Sequence, residues 1–377
     1  MAADLRRDLL IRQQDADPAI TGVQTIEEEK ISSREGLWPG VRKGPNVEGR
    51  GDETASASVE PWVDANGYLA ACLLALGPGR VPLLGYKPDL GDRVVPYDTL
   101  ELAFIEARVC GGNYVLSPEP RFRAGLRAGK ADAVAAWKRL QNTAAWLGEN
   151  DALLGRPAIP SATVLVEATE TSFELVNLLF RRNASPQVRA LADVPAPSPQ
   201  RPVIVAAGLA SVPAEIAARI LAHAHAGAVV MTDDAGPKAW WRTVGARPVK
   251  SQEDRDFYRR GKGMIVAYKA PVADPSEFAL DVIDQVTHPR RAVRMWNAGA
   301  VIGVATEGRR PGEAILHAIN YGSPIDDDVQ TRVFGNYGKA TFLAPGENPV
   351  SLQVFKRGLT TEVMIPRITR LATVIFG

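Results

Sequence analysis

The stretch "PVIVAAGLASVP" (residues 202–213) reads as a buried strand running into a glycine-broken turn ahead of a helix. In an open α/β sheet such a turn is where a nucleophile or a phosphate sits. Here it offers Ala206, Ala207, Gly208, Leu209 and Ala210, none of which can attack, ligate or carry a proton. Its single glycine also fails a dinucleotide fingerprint. The two cysteines, Cys72 and Cys110, lie elsewhere in apolar runs and are expected as buried free thiols without metal-ligand spacing. His223 and His225, two apart on a helix, point to different faces and cannot share an ion. Asp233 and Asp234 follow a strand and read as its cap. No metal and no other cofactor is expected.

The elements that carry these residues fall into three groups. Residues 1–155 read as β/α units, with strands at 19–26, 81–86 and 111–117 alternating with helices. One helix, within "DTLELAFIEARVCGG" (98–112), has a capping box from Asp98 to Glu101, a stripe of Leu102, Ile105 and Val109, and a stop at Gly111 and Gly112. A second, 131–150, has Trp137, Leu140, Ala144 and Leu147 as its stripe. Such alternation implies parallel crossovers, and three strands are too few to close a barrel, which takes eight. A turn-rich stretch, 32–67, separates the first two strands; its composition predicts a mobile segment at 42–58, held at the ends by Trp38 and Trp62.

After a Pro/Gly linker, "LLGRPAIPSA" (153–162), the alternation restarts and fills 156–288. Strands "TVLVEA", "QVRALADV", "PVIVAA" and "AVVMTDD" with intervening helices predict a doubly wound fold of the flavodoxin type. A helix at 275–286, capped by Asp274 with Pro275 and Glu277 behind it, closes this part. Across 289–377 the helical period gives way to short strands separated by Gly, Pro and Asn turns, the pattern of a small β-sandwich.

Bulk numbers narrow the partners. With 46% hydrophobic and 23% charged residues the chain is ordinary globular material, and wholesale disorder is not expected. A formal net charge of +1 makes no electrostatic case for nucleic acid or an anionic membrane, and Arg290 and Arg291 read as solvated surface. No apolar run approaches the roughly 18 residues of a membrane span. The N-terminus "MAADLRRDLLIRQQ" is too charged to hold the apolar core of a signal peptide.

The three parts in this order resemble the C-terminal portion of multidomain glycoside hydrolases of the β-galactosidase type. Those chains carry a (β/α)8 catalytic barrel, a class I glutamine-amidotransferase-like trimerisation domain and a terminal β-sandwich. "RPVIVAAGLASVPAEIAARILAHAHAGAVVMTDD" is similar to the middle domain, "AILHAINYG" (314–322) to the strand that opens the sandwich, and "LELAFIEARVCGGNYVLS" (100–117) to the last barrel unit. The resemblance implies α/β architecture with a partial barrel, its first strands having no counterpart here. The chain would then be a fragment or an inactive relative. In amidotransferases the elbow carries a Cys nucleophile; with none here, amidotransferase activity is not expected.

Glycoside hydrolysis needs two carboxyl groups, one giving a proton and one attacking or activating water, at the C-terminal ends of barrel strands. Glu28, after the strand at 19–26, and Glu119, after 111–117, are the candidates. The strand at 81–86 ends instead in Tyr86 and Lys87, where related barrels place a nucleophile. "VEPWVDANG" (59–67) sets Glu60, Trp62, Asp64 and Asn66 on one loop edge, an aromatic face for a pyranose ring beside carboxylate and amide groups for its hydroxyls; the other reading is that Trp62 anchors the loop to the core. The expected function is a glycoside-hydrolase-like protein acting on or binding carbohydrate; the alternative is a non-catalytic assembly or carbohydrate-binding protein. The resemblance further implies a homo-oligomer, with a contact in 200–250 near Trp240 or Trp241.

Overall fold

The structure is a computed structural model and describes residues 9–10, 31–41, 63–86, 95–115, 118–242, 246–286 and 290–377. It is a mixed α/β chain with seven α-helices among the described residues. The first elements are β1 (Leu9–Leu10), β2 (Ile31–Glu35), β3 (Gly40–Val41), β4 (Val63–Asp64), α1 (Gly67–Leu76), β5 (Val81–Gly85), α2 (Thr99–Val109), β6 (Asn113–Val115), α3 (Pro120–Arg127) and α4 (Ala131–Glu149). Strands β1, β6, β5 and β2 form a parallel sheet in that order, while β3 and β4 pair antiparallel beside it.

The expected strands 81–86 and 111–117 are therefore parallel neighbours; 19–26 lies outside the described residues, as does 42–58. The outer neighbour of β5 is β2, which falls inside the stretch read from sequence as turns. "ISSRE" has one apolar residue, so nothing in it alternates. Helix α1 also lacks a stripe, because "GYLAACLLAL" is apolar nearly all round and packs against both β5 and α5. The capping box at Asp98 does not form. Asp98 makes no side-chain cap bond and pairs with Arg370, while Glu101 turns inward to accept from Thr143 Oγ1 at 2.6 Å.

The next elements are β7 (Thr163–Val166), α5 (Glu170–Arg181), β8 (Gln187–Ala190), β9 (Val203–Ala206), α6 (Ala214–Ala226), β10 (Val229–Thr232), β11 (Arg247–Ser251), β12 (Arg255–Arg260), β13 (Gly263–Tyr268) and α7 (Pro275–Val286). One seven-stranded sheet has the order β11-β12-β13-β10-β9-β7-β8. Strands β8, β7, β9, β10 and β13 are parallel, and β11 and β12 form an antiparallel edge hairpin. Asp274 caps α7 as its sequence predicts, accepting from Ser276 N at 2.8 Å.

The last elements are β14 (Val293–Met295), β15 (Val301–Glu307), β16 (Ala314–Asn320), β17 (Val329–Phe334), β18 (Ala340–Leu343), β19 (Val350–Leu352), β20 (Phe355–Arg357), β21 (Thr360–Ile365) and β22 (Leu371–Phe376). Two antiparallel sheets, β14-β17-β21-β20 and β15-β16-β22-β18-β19, enclose a core that includes Val333, Phe342, Val363 and Phe376. The outer strand β15 is not bare. Gly303 N donates to Asn183 Oδ1 at 2.6 Å, Ala305 N to Ser185 Oγ at 2.9 Å, and Ile159 N to Ala305 O at 3.1 Å. Asn183 and Ser185 reach it from left-handed backbone, at φ 57° and 45°. An edge that would otherwise template association is thereby covered. The proline-rich segment before β7 is consequently tied to the last sheets.

Candidate functional site

The C-terminal ends of β2, β5 and β6 bring together an aromatic cluster. Trp38, just past β2, stacks on Tyr86, just past β5, with ring centroids 5.0 Å apart and 26° between planes. Tyr86 in turn lies 5.4 Å from Tyr114 in β6. All three rings are buried.

Under them sits Glu106, from the middle of α2 and fully enclosed. Its Oε1 accepts from Asn66 Nδ2 at 2.6 Å and Tyr86 Oη at 3.0 Å. Its Oε2 accepts from Asn66 N at 2.8 Å and Tyr321 Oη at 2.9 Å. Asn66 opens α1 and also clamps the backbone of Leu37, accepting from its N at 2.8 Å and donating to its O at 2.7 Å. One carboxylate thus ties together the strand-end loop, two helices and the last pair of sheets.

Burial pushes the Glu106 carboxyl up to about 7, against the four donors, which pull it down. Glu106 in turn pushes the Tyr86 and Tyr321 hydroxyls, already raised by burial, further up. A carboxyl with that affinity can hold or release a proton near neutrality. Enclosed as it is, what it does in this geometry is hold Tyr86. Sequence reasoning passed over Glu106, although a signal was there: its helical neighbours Leu102, Ala103, Val109 and Cys110 are all apolar, so no polar face surrounds it.

Of the residues singled out from sequence, Glu28, Glu60, Trp62 and Lys87 lie outside the described residues. Tyr86 belongs to the cluster. Asp64 is buried in β4, opposite Gly40. Glu119 caps α3, accepting from Arg121 N and Phe122 N at 3.2 Å each.

The elbow after β9 is filled by the chain's own groups. Gly208, at φ 67°, donates its N–H to both oxygens of Asp233 at 3.1 and 3.2 Å. Asp233 also accepts from Val272 N at 3.1 Å, and Ala210 N donates to Glu167 Oε2 at 2.7 Å. Thr169 and Ser172 hydroxyls both donate to Gly208 O at 3.2 Å. The amides that could cradle an anion are bound to internal carboxylates.

Other candidates resolve as structural. Asp234 accepts from Trp240 N at 3.1 Å and, through its carbonyl, from Trp241 Nε1 at 2.8 Å. Trp240 and Trp241 are 8% and 2% exposed, which corrects their expected place at a surface contact. The pair packs on α6 and the parallel strands, with Trp241 4.7 Å from Tyr258. His223 is buried with Nε2 2.8 Å from Pro195 O. Cys72 and Cys110 are buried free thiols, both pushed up by burial. Among the described residues no group of three or more His, Cys, Asp or Glu could hold a metal ion, and no helix is long and apolar enough to cross a membrane.

No protein-family model and no curated protein matches the chain. Solved structures do match its fold. A catalytic mutant of a GH42 β-galactosidase from G. stearothermophilus aligns with TM-score 0.53 and 12% identity, covering 82% of this chain and 56% of that one. The β-galactosidase from Bacillus circulans sp. alkalophilus gives 0.53 at 10% identity, over 87% and 59% of the two chains. The α-L-fucosidase isoenzyme 2 from Paenibacillus thiaminolyticus gives 0.51 at 8%, over 79% and 60%. This chain thus spans between 56% and 60% of those chains' length. In fold, the chain is similar to part of the glycoside hydrolases of the β-galactosidase type.

Proposed function

We propose that this is a glycoside-hydrolase-like protein that acts on or binds carbohydrate. The observation that carries the reading is a fold likeness, running through about four-fifths of the chain, to β-galactosidases and an α-L-fucosidase. The three-part division is part of the proposal: a partial barrel over 1–155, an amidotransferase-like domain over 156–288 and a β-sandwich over 289–377. The parallel order β8-β7-β9-β10-β13 corresponds to 2-1-3-4-5 in chain order, which supports the flavodoxin-like middle part.

Sugar would lie over the C-terminal ends of β2, β5 and β6, where the buried Tyr86 and Asp64 would support the site from below and Glu60, Trp62 and Lys87 would be the direct contacts. If bonds are cleaved there, Glu28 and Glu119 are the proposed carboxyl pair. Glu119 would have to leave the N-terminus of α3 to give a proton. That engagement favours the second reading, a non-catalytic carbohydrate-binding or assembly protein, which associates with copies of itself. Hydrolysis of nitrophenyl β-galactoside and α-L-fucoside by the whole chain separates the two. Turnover lost in both Glu28→Gln and Glu119→Gln supports catalysis. Saturable saccharide binding without turnover supports the carbohydrate-binding form of the second reading, and neither binding nor turnover leaves only an assembly protein.

A further inference from the structure

We infer that the end of β2, residues 35–37, is a contact for neutral sugar. Glu35 accepts from sugar hydroxyls, Leu37 lies against the C–H face of a ring, and Asn66 positions the two. This deepens the carbohydrate reading and rests on it.

Strand β2 runs parallel to β5, and ligands of parallel α/β sheets bind at the ends where such strands finish. Its helix-facing residues are Ser32 and Arg34. Arg34 Nη2 donates to Glu170 Oε1 at 3.0 Å, and its guanidinium lies 4.8 Å from the Phe173 ring centroid, both partners being on α5. A Cβ added at Gly77, just past α1, would come within 2.7 Å of Ser32 Oγ. Alternation then turns Ser33 and Glu35 to the opposite face, and both are exposed. Glu35 stands opposite Gly85 on β5, where an added Cβ would meet nothing within 4 Å. Open space therefore adjoins the carboxylate. A carboxylate has about four acceptor directions, so sugar hydroxyls can be added to the contacts that Glu35 already makes.

The next two residues are pinned. Gly36 N donates to Gly85 O at 2.9 Å, which carries the ladder one residue past β2. Asn66 bonds both backbone groups of Leu37, and Glu106 in turn holds the Asn66 side chain and N–H. A Cβ at Gly36 would lie 2.5 Å from Asn66 Oδ1, so only glycine lets that amide come in. The Leu37 side chain is nevertheless 55% exposed. An exposed leucine on a backbone bonded at both groups is a fixed apolar surface, whose ordering cost is met before a ligand arrives. The C–H face of a pyranose would gain by covering it. On β2 the exposed face carries a single charge, that of Glu35, because Arg34 turns to the helices. Neutral hydroxyls donate to that carboxylate, whereas a uronate would meet it as a like charge.

The test is calorimetric titration of the whole chain with neutral tetrasaccharides of galactose, glucose, xylose and mannose, and with tetragalacturonate. At least one neutral sugar is expected to bind, and tetragalacturonate at least about tenfold more weakly than that sugar. Glu35→Ala should lower the affinity for that sugar about tenfold or more, and Gly85→Leu, which fills the open space beside Glu35, by as much. Asn66→Ala, titrated well below its own melting temperature, should also weaken binding, whereas loss of a merely structural residue would lower the melting temperature alone. Thermal melts verify that each variant folds, and Glu35→Ala and Gly85→Leu decide the contact whether or not Asn66→Ala does. Unchanged affinity in Glu35→Ala or Gly85→Leu, or tighter binding of tetragalacturonate, overturns the inference and leaves the carbohydrate reading intact. Unchanged affinity in a folded Asn66→Ala overturns the positioning role, and no binding of any saccharide overturns both the inference and the reading.

Discussion

The Tyr321 hydroxyl donates to Glu106 Oε2 at 2.9 Å across 215 residues of sequence. The same carboxylate holds Tyr86 and Asn66, so the strand-end cluster and the C-terminal sheets share one anchor. Tyr321→Phe removes a donor from an enclosed carboxylate and should cost about 1–3 kcal/mol of stability. A double-mutant cycle with Tyr86→Phe should show coupling, because both phenols serve Glu106. Additive losses in chemical denaturation would contradict the shared anchor.

Glu106 and His317 should oppose each other with pH. Burial raises Glu106 from 4.5 to about 7, so its contribution is fully present below pH 4.5 and is lost as pH rises through about 7. His317 is enclosed, with Nδ1 2.9 Å from Thr373 Oγ1 and Nε2 3.1 Å from Leu153 O, and burial lowers it from 6.5 to about 4. Its contribution is present above pH 6.5 and is lost as pH falls through about 4. Between those limits each slope is about 1.4 kcal/mol per pH unit, with opposite sign. Glu106→Gln should therefore leave stability rising more steeply from pH 4.5 to 6.5 than in the wild type, and His317→Gln should leave it falling. Urea midpoints across that range check both; unchanged slopes would contradict the assignment. Glu106→Gln should also lower stability at pH 5, since its amide N–H₂ meets a donor on either oxygen's side.

The sealed elbow makes a separate forecast. Asp233→Ala strips the Gly208 and Val272 amides of their acceptor and should cost about 1–3 kcal/mol. Glutamine hydrolysis should stay at the buffer blank in wild type and variant alike, since no thiol lies in or beside the turn. Ammonia release above the blank would contradict it.

Trp241 should matter to stability and not to assembly. Trp241→Phe loses the indole bond to Asp234 O and should cost about 1 kcal/mol. The mass from light scattering should be the same as wild type at every concentration. A smaller mass in a folded variant would return the pair to an interface.

How much of this was legible depended on where the signal was local. The run Val203–Ala206, the cap at Asp274 and most of the strands after residue 290 were readable, because apolar runs and turn residues mark them. Strands β11 and β12 were not: "RPVKS" is polar because β11 is the exposed edge of the sheet, and "RDFYRR" is half-buried behind it, so neither has an apolar run to mark it. β17, "VQTRVF", alternates apolar or small with polar residues and buries one face, but it is short and follows the acidic run Asp326–Asp328, which masks the alternation. Every residue of α2 is buried, so its three-residue stripe described only one of its packed faces. Glu106 could be noticed from its apolar neighbours, but its partners lie 20, 40 and 215 residues away and only the fold brings them together.

The central claim is that the ligand is carbohydrate, and one titration tests it most directly. The whole chain is titrated calorimetrically with a panel of neutral and acidic oligosaccharides, with flavin mononucleotide and glutamine as comparison ligands. The account predicts saturable heat with at least one oligosaccharide and none with flavin or glutamine. Saturable binding of flavin with no response to any saccharide would contradict it.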